Sequence, residues 1–327
     1  MTPPISAVIN GILFALSFWA GLWLVQIAVL TAMRVAASRR IWFVARTFSW
    51  PVRMLFGSVF GGSLVFQSLA FALRDAGKVE AARAMALARI AEPDVPSWSR
   101  NAAIDLLISA GAYEAALRAE PQPYTPANSS DALGLTLIQV NLAEAEYNLG
   151  RWEAAEERLR PLDLACGAFD IARAGLLQQR AWISAQRGRG DEALDLCARV
   201  KPKWLPRTYR AEYHFTRAAA LLACRRLDEA DWAVVQGEKV ARRLSSKRNA
   251  LFLRARVAAA RDDWNAVERL CRAAADHRFR AQGGDGLLLW AEALEKLGRE
   301  AEAIQVRGLV RERDPESEAA RLASARP

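Results

Sequence analysis

Asn141-Leu142-Ala143-Glu144-Ala145-Glu146-Tyr147-Asn148-Leu149-Gly150-Arg151-Trp152-Glu153-Ala154-Ala155-Glu156-Glu157-Arg158-Leu159 reads as one helical hairpin. Apolar residues at helical spacing lead up to Gly150. A second helical stretch opens at Trp152, with Ala155 in its first turns. Glycine is the residue that most easily takes the left-handed conformation ending a helix, so Gly150 marks the turn.

The theme recurs in phase along the chain. Leu69 to Ala82 and Ala291 to Ile304 are further clear copies. The turn position falls at Gly77, Gly111, Gly150, Gly188, Arg225, Asp262 and Gly298. Seven residues earlier stand Ala70, Ile104, Ala143, Ala181, Ala218, Ala255 and Ala291. Five residues later stand Ala82, Ala116, Ala155, Ala193, Ala230, Val267 and Ala303. Two residues after the turn come Val79, Tyr113, Trp152, Gly190, Leu227, Trp264 and Glu300, three of them aromatic.

This pattern resembles the tetratricopeptide repeat, a two-helix unit of about 34 residues. The resemblance covers roughly residues 60–315. It implies an all-α, right-handed superhelical solenoid of about seven hairpins, with small residues where paired helices touch and an aromatic preferred after the turn. The turn spacings here are 34, 39, 38, 37, 37 and 36, longer than the family's usual period. Longer helices or loops must absorb the excess, and the proline-bearing stretch 120–131 accounts for the longest spacing. The family's two-carboxylate clamp for chaperone C-termini needs Lys, Arg and Asn on successive first helices. The corresponding residues here are Glu212, Phe215, Thr216 and Ala219, then Asn249, Phe252, Leu253 and Arg256. That activity is not carried over.

Ahead of the repeats, Ile5 to Met33 is a run of 29 residues without a charge. About 20 apolar residues suffice to cross a bilayer as a helix. The run is too long, and its start too neutral, for a cleavable signal peptide. Five arginines follow within 20 residues, interleaved with Trp42, Phe43, Phe48 and Trp50. Positive flanks stay in the cytoplasm, and such aromatics suit headgroup depth. The expected layout is a transmembrane anchor over 1–34, an interfacial basic and aromatic segment over 35–57 and the solenoid over 58–327. The expected location is a bacterial inner membrane. A second uncharged run, Met54 to Leu73, leaves two topologies open. The favoured one is single-pass with cytoplasmic repeats, and the alternative is two-pass with the repeats outside.

The chain's net charge of +9 is uneven. Residues 199–261 carry 16 basic and 5 acidic side chains, a net of +11, while 74–198 carry a net of −5. Free use of arginine would explain many cations but not so few acids in the same stretch. The basic face is assigned to Lys201, Lys203, Arg207, Arg210, Arg217, Lys239, Arg242, Arg243, Lys247, Arg248, Arg254 and Arg256. Its expected ligand is a protein partner with an acidic surface or segment. Anionic lipid comes next. Nucleic acid is disfavoured, because the nearby aromatics are needed for packing between helices.

No catalytic residue, metal ligand set or cofactor is expected. GxxxxGK[ST], HExxH, GxSxG and GxGxxG are absent from the sequence. His214 and His277 are the only histidines, and the four cysteines form no CxxC pair. The expectation is a membrane-anchored interaction scaffold rather than an enzyme. A basic-face binder of nucleic acid or anionic lipid is the alternative.

Overall fold

The computed structural model describes Leu73 and residues 78–122, 126, 129–162, 170–202, 205, 209–241, 244–275 and 284–325. The chain divides into two compact units, 1–76 and 77–327. Fourteen helices and no strand are found among the described residues. They are α1 (Val79–Ile90), α2 (Ser97–Ser109), α3 (Tyr113–Arg118), α4 (Ser129–Asn148), α5 (Trp152–Leu159), α6 (Asp170–Gln186) and α7 (Gly190–Arg199). Then follow α8 (Arg210–Ala223), α9 (Leu227–Val240), α10 (Leu244–Ala260), α11 (Trp264–Ala275), α12 (Gly284–Lys296), α13 (Glu300–Arg313) and α14 (Glu318–Ala325).

The hairpins form where the sequence puts them. Backbone φ is +70° at Gly111, +76° at Gly150 and Gly188, and +73° at Gly298. Arg225 and Asp262 lack glycine's freedom yet adopt +60°, which costs about 1 kcal/mol at each. At every one of these six turns, the next residue's amide bonds back to the carbonyl five positions earlier. Examples are Arg151 to Glu146 at 2.9 Å, Arg226 to Leu221 at 2.9 Å and Asp263 to Ala258 at 3.0 Å. That bond satisfies a carbonyl the ending helix would otherwise orphan. The second helix then starts two residues after the turn.

Packing follows from the small residues. Ile104, Ala143, Ala181, Ala218 and Ala255 are fully buried, as are Ala82, Ala116, Ala155, Ala193, Ala230, Val267 and Ala303. A methyl group or a short branched chain at these points lets two helix backbones close together, and a larger side chain would hold them apart. Helices pack in neighbouring pairs, α2 with α3 through α12 with α13, and each pair packs on the next. This is a helical-repeat solenoid. Its excess length is taken up in first helices such as α4, with 20 residues, and α6 and α10, with 17 each. By contrast α3 has only 6 residues. Pro121 and Pro123 follow it closely, and proline neither donates a helical hydrogen bond nor tolerates helix just before it.

Along the turn edge, an arginine of one pair reaches a carboxylate of the pair before. Arg151 pairs with Glu114, Arg189 with Glu156, Arg261 with Asp228 at 2.6 Å, and Arg299 with Glu268 at 3.5 Å. Exposed pairs of this kind each contribute little, at most about 1 kcal/mol. The chain end also returns to the start of the array. Asp314 lies at Gly111, Glu318 lies at Gly150, and the Glu114 amide donates to the Glu316 carboxylate at 2.9 Å.

The expected inner-membrane location is corrected. Among the described residues, no helix is long and apolar enough to cross a membrane. The runs 5–33 and 54–72, and the segment 35–57 between them, lie outside the described residues.

Candidate interaction surface

The eight of these basic residues that the structure describes do not share one face. Lys201 follows α7, Arg210 opens α8, Lys239 ends α9 and Lys247 lies in the first turn of α10. The ends of second helices and the starts of first helices share one edge of a hairpin array, the edge opposite the turns. These four therefore line that edge across two junctions. The three lysines are exposed, and Arg210 is half-buried with its Nε donating to the Leu205 carbonyl at 3.4 Å. Lys203, Arg207, Arg242 and Arg243 lie outside the described residues.

The remaining four point elsewhere. The Arg217 guanidinium stands 5.9 Å from the Trp232 ring centre, and Trp232 is 55% exposed. Arg254 pairs with Glu238 at 3.6 Å. Arg248 is 4% exposed, its guanidinium 5.7 Å from the Phe252 ring centre. Burial pushes its pKa down to about 10, while Asp314 and Tyr113 oppose that shift. Arg248 is thus an interior cation, and its expected place on a partner-binding face is corrected.

Arg248 and Arg256 belong to a polar centre that the sequence reading did not single out. It gathers Tyr113 from α3, Glu144 and Tyr147 from α4, Asp285 from α12 and Asp314 just after α13. Burial pushes the Glu144 carboxyl up to about 7, helped by the nearby charge of Asp105. Asp285, in the first turn of α12, is exposed and feels the opposing charges of Arg256 and Glu318. Asp314 is pushed up to about 6 by burial, although the Gly284 amide and the charge of Arg248 pull it down. Six positions before the turn stand Asp105, Glu144 and Arg256 in different pairs. That shared register was the available signal, but in sequence these residues look like any solvated helix face.

The raised carboxyls of half-buried Glu144 and buried Asp314 have a measurable consequence. Between about 4.5 and 7, folded Glu144 holds a proton that the unfolded chain has lost. Stability therefore falls as pH rises through that window. Glu144→Gln is expected to raise the melting temperature at pH 8, by the equivalent of about 1 kcal/mol. It should also flatten the thermal-stability profile between pH 5 and 8. The slope that remains should lie below about pH 6, where Asp314 titrates. Identical profiles for the two proteins would place Glu144 in bulk-like solvent.

Cys197 and Cys271 occupy the same position of α7 and α11, nine residues after the turn, and both are buried. Burial pushes each thiol up to about 12. They pack as small apolar groups rather than nucleophiles. His214, half-buried beside Tyr213 on α8, is pushed down by burial and by Arg217, so it is neutral at physiological pH. Among the described residues, no group of three or more His, Cys, Asp or Glu side chains is placed to hold a metal ion.

Compared with protein-family models and with curated proteins, the chain matches neither.

Proposed function

We propose that the chain is a tetratricopeptide-type solenoid, a right-handed superhelix of helix hairpins, that works as a protein-interaction scaffold. The fold part of this reading is supported by six left-handed turns and two files of buried small residues at the register the family uses. The functional part is carried by one observation: Lys201, Lys239 and Lys247 stand exposed along a single edge, with Arg210 between them. The partner is a protein bearing an acidic surface or segment. Its carboxylates meet cations there without any interior group being unpaired. Long ammonium side chains at an edge steer and select an acidic partner more than they add raw affinity. The role is binding rather than catalysis.

The test is a triple reversal, Lys201→Glu, Lys239→Glu and Lys247→Glu, in the full-length chain. Exposed substitutions of this kind change stability by less than about 0.5 kcal/mol each, so helical content should be unchanged. A fluorescent polyglutamate peptide is the probe. The expected result is at least tenfold weaker binding by the variant, with wild-type binding that falls as salt rises. Equal binding by the two proteins would reduce the edge to a solvated surface. Stronger wild-type binding to single-stranded RNA than to any acidic peptide would replace the protein partner with nucleic acid.

A further inference from the structure

The segment Asp314-Pro315-Glu316-Ser317-Glu318 joins α13 to α14 and lies against the hairpins of α2–α3 and α4–α5, some 200 residues earlier. Three carboxylates make the attachment. Asp314 Oδ1 would sit 3.2 Å from a Cβ placed on Gly111, and its carboxylate also takes the Gly284 amide. Glu316 accepts the Glu114 amide at 2.9 Å. The Glu318 carboxyl carbon would be 2.7 Å from a Cβ on Gly150, so a side chain at that turn would displace it. Ser317 ends the segment by capping α14, its Oγ accepting from the Ala320 amide at 3.1 Å.

Two features set this attachment apart from the packing elsewhere in the array. It is made by polar groups at glycine turns, whereas successive pairs are joined by files of buried alanines. It is also flanked by an open cavity of about 410 Å³, lined by Leu149 on one side and by Arg311, Pro315, Glu318 and Arg321 on the other. Beside it lie Tyr113 and Arg248, both buried and both within electrostatic reach of Asp314.

We propose that residues 314–318 are a releasable strap, holding the last two helices onto the turn edge of α2–α5 and covering Tyr113 and Arg248. Its release would separate α13–α14 from α2–α5 without unfolding either, because each keeps its own buried neighbours. This reading is independent of the basic edge and survives if that edge binds nothing.

Amide hydrogen exchange on the full-length chain tests it. The Glu114 amide lies in the first turn of α3, where helix geometry supplies no acceptor. Its protection therefore reports Glu316 directly. In the wild type, Glu114 should be protected, but should open well before the amides of α8–α10. Glu316→Ala should speed exchange at Glu114 and across 315–325 at least tenfold, leaving α8–α10 unchanged. Glu318→Ala, which removes the contact at Gly150 without touching Glu316, should do the same. Three results would overturn the strap. They are an unprotected Glu114 in the wild type, unchanged exchange in Glu316→Ala, and acceleration spread equally through α8–α10, which would make the segment part of the cooperative core.

Discussion

Arg248→Glu should cost about 3–5 kcal/mol, the scale on which unpairing a buried charge destabilises a protein. The guanidinium is 4% exposed and sits over the Phe252 ring, with the Asp314 carboxyl and the Tyr113 hydroxyl facing it. Reversal would set two carboxyls against each other, because Asp314 is itself buried. A domain with about 5–15 kcal/mol of total stability would lose a large fraction of it. The comparison is with Lys247→Glu, one residue away and exposed, where the change should stay below about 0.5 kcal/mol. Urea titration of both variants measures the difference as a shift in midpoint at constant slope. Equal midpoints would mean that Arg248 faces solvent, and would return it to the basic face on which the sequence alone placed it.

That pair of neighbours shows where sequence was informative and where it was not. The hairpin register was legible because it rests on local requirements. A left-handed turn residue is needed at one position, and small side chains are needed at two others fixed by helix geometry. Gly150, Ala143 and Ala155 announce one repeat, and the spacing carries the rule to Arg225 and Asp262, where the residue type gives no help. The division of the basic block was not legible. Whether a cation between two helices points out or in depends on how far the array turns before its end meets its beginning. Sequence periodicity holds no term for that return. Lys247 and Arg248 differ by one helical step of about 100°, enough to put one in water and the other against Asp314 from beyond α13. Glu144 was hidden for a related reason: in its own repeat it is an ordinary polar residue, and its raised pKa comes from lost solvation and from Asp105 of the preceding pair.

The position two residues after each turn gives the second large effect, and it runs against the family pattern. An aromatic stands there in three hairpins, and Tyr113 is fully buried while Trp152 meets Tyr147 edge to face at 4.6 Å. A sequence-based repair would therefore place tryptophan at Gly190, where α7 begins. The structure forbids it. A Cβ on Gly190 would lie 2.9 Å from the Cys224 amide nitrogen and 3.0 Å from the Ala220 carbonyl oxygen, both in the backbone where α8 ends. Side chains can rotate away from a newcomer, but a helix end held by its own turn at Arg225 cannot. Gly190→Trp should thus cost about 3 kcal/mol or more, at the upper end of overpacking penalties. Gly190→Ala should already show a large part of the loss, about 1–2 kcal/mol, because the first added carbon makes the clash. That sign is opposite to helix propensity, which favours alanine over glycine by about 1 kcal/mol. Thermal or urea unfolding of the two variants decides between these effects. A stabilised Gly190→Ala would mean that α8 stands clear of α7. The close approach of the α6–α7 and α8–α9 hairpins would then have to be carried by Ala193 and Ala230 alone.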